Sequence, residues 1–483
     1  MSIQDFRGQG PPADIGTFQS PCSILIYQYT FSGTTYVCAA RQGDRGWVLV
    51  TPPSTVASTV INAAIVANPN GAEFYVKRAN YSITATIIDS GSNDISIDCE
   101  QGTVFTLANT VNAPVIFLTS CARWIFRNLK IDGNRVNQAG GPFEGIAMNA
   151  AVDCEFEHLW FINVGERAIA AAVGSDRVQM LNCKCENSGK GFVADASEFA
   201  LIQGCYCNNV GAGLADDCHL LINGSDYGQI VDCRVHQCLG DGASIYTSSH
   251  CRVAGLIADN YGLVTDDHVG VDLHTAIRSV VEGCVFYGCN YGVILDNSSE
   301  RNVVANNEVV LSGRAGIILD SLSRRNLISG NMVDGSGNIV GYAGIHVESE
   351  RNTICDNKVL EDRTGVARTQ TIGININGGD FNLISDNYIV NNKTYGIFLA
   401  AGSTYNQIED NFTADHDTGC LRIDNANCLK NTITHNCFEE GAISDAGGAH
   451  GCVAYLNYDP SAGAMIATIN PPAVVGGGGG ALP

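Results

Sequence analysis

The sequence predicts an all-β solenoid, and three observations carry that prediction. The first is a repeat: Gly270, Gly292, Gly316, Gly344, Gly373 and Gly396 each open an apolar–x–apolar triplet, and successive ones lie 22 to 29 residues apart. A fixed period of this size marks a stacked-repeat architecture. The second is the content of each repeat. GVILDNSSERNVVANN, GIILDSLSRRNLISGN, GIHVESERNTICDN and GIFLAAGSTYNQIEDN each hold two short strands separated by polar turns, with Asn closing the second. Such a unit cannot bury its inward face alone, whereas a stack of them can. The third is composition: the chain has 54 Gly and only 16% charged residues, as expected where turns are tight and most strands face a core. A solenoid grows in one dimension, so 483 residues need not mean several domains.

These repeats resemble those of the pectin-lyase-like and NosD-like (PbH1-repeat) superfamily over about residues 50 to 440. The resemblance implies a right-handed, single-stranded parallel β-helix. It leaves activity open, because that fold carries lyases, hydrolases, epimerases, tailspikes and inert adhesins.

Taken in order, residues 1–50 read as an irregular arm followed by a small β hairpin or meander, with alternation in SILIYQYTF, TYVCAARQ and GWVLVT. Residues 51–440 read as the β-helix. Its entry is a capping helix at about 54–68, where Val56, Val60, Ile61, Ala64 and Ile65 recur at helical spacing after Ser54 or Thr55 as N-cap, and Pro69-Asn70-Gly71 stops it. A plug is needed there, since an open coil exposes its bore and unpaired strand edges. The coils are regular from Ile169 onward, with long excursions at Ala215–Asp226 and Asn260–His268. Residues 441–483 read as an irregular segment ending in a Gly-rich tail.

Charge narrows the partners. Lys+Arg number 27 against 49 Asp+Glu, a formal net charge of -22. Nucleic acid and anionic membrane are bound through basic surfaces, so neither is expected. No run of about 18 apolar residues is present to span a bilayer. MSIQDFRGQG lacks the basic start and apolar core of a signal peptide. The expected partner is a polysaccharide or surface glycan, met outside the cell, at its surface or on a virion. A homo-oligomer, notably a trimer, fits the resemblance.

Twenty cysteines raise disulfide and zinc readings, with Cys183-x-Cys185 and Cys205-x-Cys207 the nearest to a metal spacing. Alignment of the second strands instead puts Cys183, Cys205, Cys233, Leu256 and Cys284 in one column, continued by Asn307, Asn331, Asn357, Asn387, Asn411 and Asn436. A column mixing Cys, Leu and Asn points inward, where free Cys is a small hydrophobe and Asn can ladder from coil to coil. No structural metal or cofactor is expected.

The outward positions of the first strands carry the functional expectation. Side chains alternate in and out, so the fourth residue after each Gly forms an outward row: Asp195, Asp217, Tyr246, His274, Asp296, Asp320 and Glu348, then Asn377 and Ala400. The second position gives Ser244, Asp272, Ile294, Ile318, His346, Asn375 and Phe398. Parallel neighbours lie about 4.8 Å apart, so Asp296, Asp320 and Glu348 stack as like charges that raise one another's pKa. Three readings of this row stand: Asp capping the next turn through backbone N–H groups, a catalytic or glycan-binding row, and a Ca²⁺ site. In the second, Asp296, Asp320, Glu348, His274 and Asp272 are the catalytic candidates. Asp217, Asp195, Tyr246, Asp267, His346 and Phe398 are the substrate-binding ones. Carboxylates about 5 Å apart fit retaining glycosidase chemistry, and pairs two coils apart, at roughly 9.6 Å, sit near the upper end for inverting enzymes. The order Asp241, Asp266-Asp267, His274, Arg278 resembles that of polygalacturonase-like hydrolases, without their Gly-His-Gly or Arg-Ile-Lys. Inulin-fructotransferase-like β-helices are a further analogy. The leading expectation is therefore carboxylate acid/base cleavage of a neutral or weakly charged polysaccharide. A non-catalytic tailspike or adhesin is the first alternative and a Ca²⁺-dependent polysaccharide lyase the second.

Overall fold

The computed structural model describes residues 23–43, 46–139, 143–210, 218–237, 240–259, 268–337, 343–362, 368–424, 427–439, 443–445 and 452–465. They form a parallel β-helix in two compact units, residues 1–240 and 241–483. In each unit every coil contributes three short strands, and equivalent strands pair in parallel with those of the next coil.

The first unit opens on the expected antiparallel meander, β1 (Ile24–Phe31), β2 (Thr34–Gly43) and β3 (Gly46–Leu49). β1 then pairs in parallel with Glu73–Val76, the first strand of the coils, so the meander extends the first sheet and covers its edge. The helix α1 spans Ala57–Ala67 and buries Ala57, Val60, Ile61, Ala64 and Ile65, an i, i+3, i+4, i+7, i+8 stripe. Its N-cap is Val56 rather than Ser54 or Thr55, and no side chain caps it. The Ser54 hydroxyl serves one step earlier, accepting the Val56 N–H at 3.1 Å. α1 is tied to the coil edge by Asn62, whose amide donates to Thr86 O at 3.0 Å and accepts Ile88 N–H at 3.1 Å.

In the second unit the sheet that matters for function is built from Asp241–Tyr246, Val269–His274, Tyr291–Asp296, Ile317–Leu319, Ala343–Val347, Ile372–Asn377, Tyr395–Ala400 and Gly419–Ile423. Parallel pairing continues beyond residue 440, through Ile443–Asp445 and Val453–Tyr455. The glycine opening most of these strands sits where coils approach closely. A Cβ on Gly316 would lie 2.8 Å from Gly344 O and 2.4 Å from Val333 Cγ1.

The inward column is an amide ladder in this unit. Asn331 accepts the Asn307 backbone N–H at 3.0 Å and its amide at 2.9 Å, then donates to Asn357 Oδ1 at 2.9 Å. The pattern repeats through Asn387, Asn411 and Asn436 to Asn457. A second ladder, which the column reading passed over, runs through Asn302, Asn326, Asn352, Asn382, Asn406 and Asn431. Its residues were visible in the RN, FN, YN and KN pairs of the same repeats. Both ladders stand at bends whose preceding residue is left-handed: Arg325 and Asp356 have φ of 57°. Asn and Asp tolerate that region, whereas Arg at such a bend is held by the bonds that follow it. The Cys column is interior as expected. Cys183, Cys205 and Cys233 are buried in the first unit and Cys284 in the second, and all seventeen cysteines described are free thiols.

A third corner of the second unit buries Gln370 and Asn392 and half-buries His416. Gln370 donates to Asn392 Oδ1 at 2.6 Å, and the Asn392 N–H donates to His416 Nδ1 at 3.1 Å. His416 Nε2 is buried with no partner, and burial pushes the imidazole down to about 4 from 6.5. The unfolded chain therefore binds a proton between those values while the folded one does not, so this residue's contribution falls as pH drops from 6.5 through 4. The loss amounts to about 3 kcal/mol. Urea unfolding from pH 7 to pH 4 is expected to show it, and His416→Asn, which keeps an acceptor for Asn392, is expected to flatten that part of the profile. An unchanged profile in the variant would contradict this assignment.

Candidate functional site

The outward face of this second-unit sheet gathers most of the predicted residues, because strand register sets them side by side. Tyr246 pairs with His274 and His274 with Asp296 in one row; Ser244 pairs with Asp272 in the other. Five side chains converge here. The rings of Tyr246 and His274 stack with centroids 3.8 Å apart and planes 8° from parallel. His274 Nδ1 lies 2.9 Å from Asp296 Oδ1, and the Asn297 amide donates to Asp296 Oδ2 at 3.0 Å. The remaining member, Asp272, sits two residues before His274 on the same strand and the same outward face. Its Oδ1 is shielded from solvent and has no hydrogen-bond partner. One donor atom from each of Asp272, His274 and Asp296 lies within 4.8 Å of the others, a set able to hold a cation.

Burial and neighbouring charge set the electrostatics. Asp272 is pushed well above the usual carboxylate range, chiefly by desolvation and further by the charges of Asp241 and Asp296. Asp296 is also raised by desolvation and by Asp320, but His274 and Asn297 oppose the rise. The two carboxyls thus differ: Asp272 favours its neutral form more strongly, and Asp296 has groups that stabilise its anion.

Farther along the face, His346 Nε2 lies 3.0 Å from Glu348 Oε1, with the Asn375 amide 3.0 Å from His346 Nδ1 and the Asn377 amide donating to Glu348 at 3.2 Å. Burial works against charge on Glu348, but the bonds from His346 and Asn377 outweigh it and leave the carboxyl below its usual range. Phe398 stacks on Tyr395 at 5.7 Å, and Arg422 donates to the Tyr395 hydroxyl at 2.7 Å and to Asp424 at 3.2 Å.

Several predicted residues stand apart. Asp320 follows Asp296 in the row but lies one position past its strand, Ile317–Leu319, and Oδ1 accepts the Ser321 N–H at 2.7 Å. That is the turn-capping role, so Asp320 is not grouped with the converging carboxyls. Asp195 lies in the first unit, where the Asn223 amide donates to it at 2.9 Å. The row position after Asp195 belongs to Asn223, not Asp217. Asp217 and Asp267 both fall outside the described residues. Asn297 and Tyr395 were missed: Asn297 looked like part of a turn, and Tyr395 precedes the glycine on which the row was counted.

Comparison with known proteins supports the fold. Residues 219–376 match the model of a family described as "Periplasmic copper-binding protein (NosD)". No curated protein matches the sequence. Among solved structures, the pre-mature bacteriophage phi29 gene product 12 is 13% identical with a TM-score of 0.58, over 84% of this chain and 55% of that one. The mannuronan C-5 epimerase AlgE4 A-module of Azotobacter vinelandii is 14% identical with a TM-score of 0.45, over 75% and 91% of the two chains. DFA-IIIase from Arthrobacter chlorophenolicus A6 is 13% identical with a TM-score of 0.39, over 73% and 90%. At these identities the likeness is one of fold.

Proposed function

We propose that this protein cleaves a neutral or weakly charged polysaccharide at the outward face of its second unit, with Asp272 and Asp296 as the reacting carboxyls. The observation that carries the reading is their pairing: carboxyl oxygens within 4.8 Å, one shielded and unpartnered, the other held by His274 and Asn297. An upper bound of 4.8 Å between these oxygens is compatible with the roughly 5–5.5 Å of retaining glycosidases and falls short of the roughly 6.5–9.5 Å that inversion requires. Asp272, as the neutral acid, gives its proton to the glycosidic oxygen as the C–O bond breaks. Asp296 attacks the anomeric carbon and forms an ester. Water, losing its proton to the Asp272 carboxylate, then cleaves the ester and restores both groups. Tyr246, 38% exposed beside His274, offers an aromatic wall to a sugar ring. A net charge of -22 disfavours polyanionic substrates.

The test is a digest of a panel of neutral polysaccharides, with the anomer of freshly released product read by NMR. Cleavage with retention is expected. Inversion would remove the pair from these roles. Glycan binding with no cleavage would favour the adhesin-like alternative, and an unsaturated product quenched by chelator would favour the lyase.

A further inference from the structure

We propose that Asp272, His274 and Asp296 also form a binding site for one divalent transition-metal ion. The three donors come from adjacent strands and already lie within 4.8 Å of one another. Donors sharing an ion at about 2.1 Å are at most about 4.2 Å apart, so side-chain rotation alone closes the set.

The second observation is independent of that geometry. Asp272 Oδ1 is shielded from solvent and has no hydrogen-bond partner, whereas Asp296 Oδ1, equally shielded, lies 2.9 Å from His274 Nδ1. A buried carboxylate oxygen without a partner is costly, and a cation held by the three donors satisfies the Asp272 oxygen. Among the described residues no Lys or Arg pairs with either carboxylate, and His274 is the ionic neighbour of Asp296.

The donor set selects the ion. Ca²⁺ and Mg²⁺ prefer all-oxygen shells, whereas one imidazole with two carboxylates suits Mn²⁺, Fe²⁺, Co²⁺ or Zn²⁺. Three protein ligands leave coordination positions open, as in catalytic rather than structural sites. The supporting contacts are in place: Tyr246 fixes the plane of the His274 ring, and Asn297 donates to the second oxygen of Asp296. An ion here would occupy the oxygens that glycosidic cleavage needs free, so the metal-filled centre is a distinct state. The inference does not depend on the cleavage reading.

The experiment uses the full chain, stripped with chelator and dialysed, and Mn²⁺ as the probe, because buried thiols compete poorly for it. Loss of the free-ion EPR signal on titration reads binding directly. The expected result is one Mn²⁺ per chain, undiminished by a tenfold excess of Ca²⁺. Asp272→Asn and His274→Ala are each expected to weaken binding by at least about tenfold, with Asp296→Asn as a further arm should either variant fail to fold. No binding, equal binding in folded variants, or displacement by Ca²⁺ would overturn the proposal. Cleavage by the stripped protein reads the other proposal, so failure of one is distinguishable from failure of the other.

Discussion

Asp296→Asn is expected to lower kcat/KM on the cleaved polysaccharide by about 10²–10⁴-fold while leaving the melting temperature within a few degrees of wild type. The side chains are nearly the same size, so packing is kept, but the amide cannot attack the anomeric carbon. Stability is spared because the carboxylate contributes little to it. Desolvation already opposes its charge, and its partners include His274, whose side chain is 20% exposed, and the exposed Asn297. Asp320→Ala is the matching control. Its Oδ1 accepts the Ser321 N–H, so the variant is expected to lose about 1 kcal/mol of stability and to retain cleavage. The pair of variants separates two roles that one column of sequence presents as equivalent. A large stability loss in Asp296→Asn with unchanged turnover would reverse the assignment.

The largest structural effect is expected from Asn357→Ala. This amide donates to Ile328 O at 2.9 Å and to Asn387 Oδ1 at 3.0 Å, and its oxygen accepts the Asn331 N–H at 3.0 Å. All of this is buried, with Asn357 1% exposed, so water cannot replace the lost bonds. The Asn331 N–H and the Ile328 carbonyl would be left without these partners, at about 1–3 kcal/mol each, with a further cost for the cavity. The expected destabilisation is about 4 kcal/mol, read from the urea midpoint at unchanged m-value. Asn357→Leu, which refills the volume without restoring any hydrogen bond, is expected to recover only the cavity part. A loss under about 1 kcal/mol in the Ala variant would mean that the ladder contributes little beyond register.

The fold was legible because two periods coincide. Apolar alternation at two residues assigns in and out, and the 22-to-29-residue spacing brings equivalent positions into columns. The outward rows from Tyr246 to Glu348 came out in the observed register for that reason. Counting from Gly213 assigns the row position after Asp195 to Asp217, where the strand register places Asn223. The strand that forms, Cys218–Asn223, has His219 rather than glycine opposite Gly191, and only its alternating Leu220 and Ile222 mark it. The site itself was half legible. Sequence aligned Asp296 with Asp320, but whether a carboxylate turns to a neighbouring coil or to its own backbone depends on where the strand stops. Asp296 is the last residue of its strand and Asp320 lies one beyond. The pairing of Asp272 with Asp296 runs diagonally across two rows, a relation that no single column contains.

The Asn ladders also make the chain length effectively quantised. Each amide oxygen receives from the coil before it, and each amide nitrogen gives to a carbonyl of that coil and to the Asn of the coil after it, so one coil is interchangeable with the next as far as the bore is concerned. Excision of a whole turn rejoins donor to acceptor, whereas excision of part of one strands both. The length of the outward face can therefore change by whole rungs of about 4.8 Å, which lets the reach of the surface be altered without redesigning its interior.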